Sequence, residues 1–433
     1  SRLFNKIPYF DENVEISQYP DIPNNEFTRD EILSMLAKEM LDAAELLPAS
    51  QSEVGRIHKY IALAYAAKIK LYQAYQQDET THAVTSINKE LLREVVSLCD
   101  QVTASNRYGL LDDFQGLDLV ANENGKESVF AIQYSMNDGT ESAGRINWSN
   151  LLNSPGGGSP YGGDGFFLPS QDLINAYQTD ANGLPDFNYQ SKSDYSWAVL
   201  NNGGYTLQNT TPNVDPRLDF VVGRPTITWK TYPDKPCEGW VRDKETYGYN
   251  CAKRFWVSPE SSDMFNGWPW GASQLNWQII RYADILLWKA EALIELNEGD
   301  GLETARDLIN QIRNRARNSA YVKDFNDHSK YAANYLVNPY PADVWNQDYA
   351  RQALRWETRL EKALEGERFF DLVRWGIVET TMNKYITAES DNRIYYANAH
   401  FTGGKDEYYP VPNNQYGFSG GKYVQNPGYA PFN

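Results

Sequence analysis

The sequence predicts a mainly α-helical chain, a tetratricopeptide-like helical-repeat scaffold with a long, irregular, loop-rich subdomain inserted in its middle. Three observations predict it. Apolar residues recur at helical spacing in three segments before residue 107 and in further segments after residue 277. Between them, about 170 residues are dominated by Gly, Pro, Asn, Asp and aromatics, with no sustained period. The helical segments also come in pairs joined by short turns, the layout of a helical hairpin, although no strict repeat of about 34 residues is present.

Thr28, with Glu31 three residues on, forms a capping box that opens a helix ending near Pro48. Ile32, Leu36, Met40, Ala43 and Leu47 recur along it at helical spacing. Lys59 to Tyr75 forms a second helix, in which Ala62, Ala64, Ala66, Ala67 and Ala74 let a neighbouring helix approach closely. Leu91 to Ala104 forms a third, completing an N-terminal helical part over residues 1–107. Residues 108–276 form the inserted subdomain, with short strands expected at Ser128 to Tyr134 and Leu218 to Val222 and one helix near Ser170 to Tyr177. Residues 277–433 return to helix. Trp277 to Leu296 and Leu302 to Arg317 flank a Gly-containing turn, with Trp288, Ala290, Leu293, Ala305, Leu308 and Ile312 placed to pack across the pair. Segments from Tyr349 to Tyr385 add a further pair.

Composition narrows the function. With 433 residues the chain can bury a large core, and its charged and hydrophobic fractions are those of a folded protein. Its net charge is −17 and no Lys/Arg block makes a phosphate-binding stripe, which argues against a nucleic-acid partner. No run of about eighteen apolar residues is present to span a bilayer as a helix. Of three cysteines, Cys99 falls in a helical pattern and reads as a buried apolar residue. Cys237 and Cys251 bracket a loop of about 15 residues and either form a disulfide in an oxidising compartment, stabilising by ~3 kcal/mol, or stay as free thiols. The four histidines are scattered and none lies near the loop cysteines, so no metal centre and no cofactor is expected. A structural calcium among the Asp- and Asn-rich loops has no EF-hand-like spacing behind it.

The most informative stretch is Arg355 to Gly376, RWETRLEKALEGERFFDLVRWG. It places Arg355 and Arg359 on one helical face and Glu357 and Glu361 on another, spacings at which charges along a helix pair with one another. Gly366 permits a turn that a side chain would resist. Phe369, Phe370, Leu372, Val373 and Trp375 follow and require burial. The run resembles the C-terminal signature of the SusD/RagB family of surface glycan-binding lipoproteins. Three further stretches agree in order: DPRL from Asp215, IRYADILLWKAEALIEL from Ile280 with Ile312, Arg313 and Ala316 beyond it, and YYPVPNNQ with QNPGY near Asn426. PSQDLINAY at Pro169 to Tyr177 and GRIHKYIALAYAAKIKLY at Gly55 to Tyr72 extend the likeness more weakly.

The resemblance implies a non-catalytic protein of the outer membrane, exposed at the cell surface. It would bind oligosaccharide and deliver it to a SusC-type TonB-dependent transporter. It also implies a lipid anchor and additional helices ahead of Ser1, so that this sequence starts within the N-terminal part. The signature residues imply fold, not ligand contact, because glycan sites vary within the family. Site residues are therefore chosen from loop context. Six of the 12 tryptophans lie between Trp229 and Trp277 in Gly/Pro-rich loops, and indole and phenol rings stack on the C–H faces of sugars. The expected glycan-binding set is Trp240, Tyr249, Trp256, Trp268 and Trp270, with Arg254 and Asn266 at the rim and Tyr161 from the loop SPGGGSPYGGDGFF, which also holds Phe166. The glycines of that loop lack the Lys-Ser/Thr of a phosphate cradle. Two other readings compete. A helical glycoside hydrolase or lyase would need two placed carboxylates, for which Asp164, Asp172 and Asp263 are available. A helical-repeat adaptor would bind protein in its groove without needing the tryptophans.

Overall fold

The computed structural model describes residues 2–140, 144–153, 156, 158–195, 198–201, 204–207, 213–232, 239–248, 250–267 and 270–432. Twelve α-helices and only short two-stranded pairings are found there, so the fold is mainly helical as expected. The Thr28 capping box forms, with the Glu31 amide donating to Thr28 Oγ1 and the Glu31 carboxylate accepting from the Thr28 amide, and it opens the helix Arg29–Leu46. Lys59–Ala74 and Lys89–Ala104 follow, the last capped by Asn88. Each packs on the next, and Lys89–Ala104 then packs on Tyr282–Leu296, far along the chain. Tyr282–Leu296 in turn packs on Gly301–Asn318 and Gln347–Glu361. The helical layer is thus continuous in space although the insertion interrupts it in sequence. The alanine face explains the close packing: Ala62, Ala64, Ala66, Ala67 and Ala74 are all buried in the core shared with Val95, Cys99, Ile285 and Trp288.

The sequence motifs converge on one buried ion network. Arg217 of DPRL pairs with Asp215, Glu357 and Glu361, at 2.7, 2.6 and 3.2 Å. Arg281 of IRYAD pairs with Glu127 (2.7 Å), Glu361 (3.0 Å) and Glu365 (2.7 Å). Arg313 reaches Glu357, and Arg315 reaches Glu127 and Glu361. Lys362 reaches Asp284 and Glu365, Arg254 joins Glu365 to Asp118, and Lys230 closes on Asp118. Seven cations therefore face seven carboxylates, which leaves this network without net charge, the condition under which such groups tolerate burial. The pairing differs from the expectation of contacts along the helix. Glu357 and Glu361 are fully buried and turn to arginines of other elements, because their helix face points into the protein. Arg359 pairs instead with Asp172 at 2.6 Å, and Arg355 lies over the Trp375 ring.

Three elements differ from expectation. Leu218 to Val222, expected as a strand, lies almost wholly in the short helix Arg217–Val221. Its apolar run reads as a strand, but Asp215 accepts from the Arg217 amide and starts a helical turn after Pro216. The helix expected from Trp277 begins at Tyr282. Trp277–Arg281 is a strand antiparallel to Ser128–Ile132, its Ile279 and Ile280 suited to extended backbone, and Asp284 caps the following helix by accepting from the Arg281 amide. The signature region yields three helices, Gln347–Glu361, Arg368–Arg374 and Val378–Glu389, where a pair was expected. Gly366 stands in the turn at φ +80°, a conformation costly for any side chain. Apolar clusters cross the sequence boundaries at 107 and 276. One unites Leu92, Val129, Ile280 and Trp375, and another unites Phe114, Tyr177, Leu218 and Leu360.

Candidate functional site

The aromatics of the insertion divide into an interior set and an exterior set. Tyr161, Trp229, Trp240 and Trp256 form a buried cluster with Cys251, edged by Leu168, Tyr232 and Met264. Ring centroids lie 5.9 Å (Tyr161 to Trp229), 5.5 Å (Tyr161 to Trp256) and 5.1 Å (Trp229 to Trp240) apart, at tilted or edge-on angles that suit aromatic quadrupoles. The Tyr161 hydroxyl accepts from Trp229 Nε1 at 2.8 Å and donates to the Val257 carbonyl at 2.6 Å, so both polar atoms are satisfied. Burial pushes its pKa well up, and it stays a neutral donor.

Four residues expected at a binding surface are therefore interior. Trp240, Trp256, Tyr161 and Arg254 are 5, 2, 0 and 2% exposed. The physical reason is that loops without paired strands or helices have few other ways to exclude water, and large rings supply the missing core. Arg254 is drawn inward by Asp118 and Glu365 and lies over the Phe114 and Phe255 rings.

Outside this cluster the rim is aromatic. Trp270 is 54% exposed, Phe166 73% and Trp148 46%, and Asn266 is exposed as expected. Their placement follows from backbone. Met264 and Ser273 pair as an antiparallel bridge and the Phe265 amide donates to the Ala272 carbonyl, making a hairpin that carries Asn266 and Trp270 at its end. The Asn147 amide donates to the Ser273 carbonyl, which brings Trp148 beside the hairpin base. The glycine-rich loop packs against the hairpin at Gly162. A Cβ there would lie 3.2 Å from that of Trp270, and φ is +65°, so the close approach requires glycine. Arg242 fastens the same loop by donating to Asp164 and to the Gly163 carbonyl, each at 2.7 Å. Tyr249 and Trp268 lie outside the described residues. So does Cys237, and with it the choice between a Cys237–Cys251 bridge and two free thiols that the sequence left open. Cys99 is free and buried.

Each carboxylate named for a hydrolase is held by protein partners of its own. Asp164 is bound to Arg242, and Asp263 accepts from Gln274 at 2.7 Å and Ser261 at 3.1 Å. Asp172 belongs to the packing of Gln171–Ala176 against the signature helix, where it accepts from Arg359, Tyr189 and Gln190. Burial pushes its pKa up, but Arg359 and the hydroxyl and amide donors outweigh this and hold it below the usual carboxylate range. Among the described residues, no group of three or more His, Cys, Asp or Glu side chains is placed to hold a metal ion. Trp148 is the member of the rim that sequence reasoning missed. It stands in a stretch without helical or strand period, and only its packing shows that it is left outside.

Fold and surface together define a helical-repeat protein whose inserted loops carry exposed aromatic rings. The chain belongs to the SusD family, whose profile matches residues 126–429. Solved structures agree. A SusD superfamily protein from Bacteroides vulgatus is 21% identical with a TM-score of 0.66, covering 99% of this chain and 74% of that one. A SusD-like carbohydrate binding protein from Bacteroides fragilis is 19% identical with a TM-score of 0.64, over 96% of this chain and 75% of that one. Surface glycan-binding protein A from Bacteroides fluxus is 19% identical with a TM-score of 0.63, over 99% and 74%. At these identities the likeness is one of fold. No curated protein matches the chain. Among the described residues, no helix is long and apolar enough to cross a membrane.

Proposed function

We propose that this protein captures an oligosaccharide at the bacterial cell surface without cleaving it and passes it to a SusC-type TonB-dependent transporter in the outer membrane. The observation that carries the reading is the exposed rim of Trp270, Phe166 and Trp148, mounted on a buried aromatic cluster that fixes the loops bearing it. Stacked rings hold sugars through their C–H faces, at about 1 kcal/mol each beyond buried area, which suits a ligand that is later released. Asn266 on the same hairpin supplies an amide for a sugar hydroxyl. Membership of the SusD family and the names of relatives that bind carbohydrate or surface glycan support the ligand class. The partnered state of Asp164, Asp172 and Asp263 favours capture over hydrolysis. Tyr249 and Trp268 remain part of the proposed ligand surface.

A panel of plant, microbial and host glycans tests the reading, with retained binding and reducing-sugar release measured in the same samples. Binding of an intact glycan that weakens in Trp270→Ala is the expected result. Release of reducing ends would replace the reading by a glycosidase, and unchanged binding in Trp270→Ala would move the site away from the rim. Co-purification of the native protein with a TonB-dependent transporter tests the delivery step.

A further inference from the structure

A cleft of about 470 Å³ lies away from the aromatic rim, between the loop joining the first two helices, the end of the third helix and the Ser128–Ile132 strand. Its lining holds Arg56, Arg107 and Lys126 against one carboxylate, Glu53. In a chain of net charge −17 that is a local reversal of sign. The cations are also available to a ligand. The Arg56–Glu53 pair is 64% and 66% exposed, and the Asp112 partner of Lys126 is 98% exposed, so both pairs are weak and exchangeable. Arg107 makes no ion pair among the described residues. Deeper in the cleft His58 is only 8% exposed. Its Nε2 faces the Tyr108 hydroxyl at 3.2 Å, while its buried Nδ1 has no partner. Burial and Arg107 hold His58 below its ordinary pKa, so at neutral pH it offers an uncharged ring nitrogen of the kind that pairs with a hydroxyl. Phe130 gives an apolar wall.

We propose that this cleft binds an acidic sugar residue of the captured glycan, its carboxylate or sulfate held by Arg107 and Lys126 and a ring hydroxyl held by His58. The inference rests on the glycan-capture reading and adds a substrate class to it. Cations alone would suit any anion, but an orphaned neutral imidazole beside an aromatic wall suits a ring that carries hydroxyls and a C–H face. The cleft is also tied to the rim. Asn276 accepts from the Tyr134 amide at 2.7 Å and donates to Gln133 at 3.1 Å, so the strand lining the cleft runs into the base of the Trp270 hairpin.

Calorimetry with trigalacturonate, a κ-carrageenan tetrasaccharide that carries sulfate but no uronate, and neutral cellotetraose tests this on the whole chain. Expected is binding of at least one acidic probe, weakened about tenfold or more in Arg107→Gln/Lys126→Gln, since the variant loses two charged donors to the acid group. The same loss should appear for the unaltered protein in about 0.5 M salt, where exposed charges are screened. His58→Ala should weaken the same probe at either salt concentration. Which acidic probe binds separates uronate from sulfate. The proposal is overturned if the double variant binds the acidic probes as tightly as the unaltered protein, or if only cellotetraose binds. In that last case Trp270→Ala decides the capture reading separately. Both arginine and lysine are exposed, so an unchanged melting temperature verifies that the double variant is folded.

Discussion

Trp256 and Trp270 are the same residue type in neighbouring loops, yet one is 2% and the other 54% exposed, and the two should respond oppositely to truncation. Trp256→Ala empties part of the aromatic cluster and should lower stability by about 3–5 kcal/mol, read as a fall in unfolding midpoint. Trp270→Ala should leave stability within about 0.5 kcal/mol while weakening glycan binding about fivefold, the equivalent of ~1 kcal/mol. Tyr161→Phe keeps the ring but strands Trp229 Nε1 and the Val257 carbonyl, and should cost about 1–3 kcal/mol in chemical denaturation. A melting temperature equal to the unaltered protein's would show those atoms to be solvated after all. None of these differences is legible in the sequence. Periodicity distinguishes the faces of a helix or strand, and NGWPWG has no period for a face to follow.

Among elements, the helix Gln347–Glu361 concentrates the electrostatics. Burial pushes the Glu361 pKa up, but Arg315, Arg281 and Arg217 outweigh it and bring it to about 2. A carboxylate depressed in the folded state contributes stability above its ordinary pKa of ~4.3 and loses it as pH falls toward the folded value. Melting temperature should therefore drop between about pH 5 and pH 2, and Glu361→Gln should flatten that drop while costing about 3–5 kcal/mol at neutral pH by leaving arginines unpaired. Glu389, at the end of Val378–Glu389, has the opposite sign. Burial raises it to about 7, and its Oε2 has no partner among the described residues. The folded state then binds the extra proton, so stability should fall as pH rises from about 4.5 through 7, and Glu389→Gln should raise the melting temperature at pH 8 more than at pH 5. A uniform shift at both would refute the assignment. The capping box at Thr28, the alanine face of Lys59–Ala74 and the turn at Gly366 were legible because each is local. The ion pairs of Glu357 and Glu361 were not, since their partners are distant in sequence.

At the scale of the molecule, the ion network joins the insertion to the C-terminal half of the helical layer through Arg217, Arg254 and Arg281. Apolar clusters shared across the same boundaries should make the insertion and the scaffold unfold together. Tryptophan fluorescence, weighted to the insertion, and far-ultraviolet dichroism, weighted to the helices, should give coincident denaturation midpoints. Separated midpoints would mean two independent units. The sequence by itself determined the helical layer, its capping and turn chemistry, and the ordered motifs that place the chain in the SusD family, because these depend on residues near one another or on a run of words read in order. Only the tertiary structure decided which aromatics lie inside and which outside, and that the motifs meet in one charge-balanced core. Burial and ion pairing in irregular loops depend on which distant segments close over them, and no spacing along the chain records that.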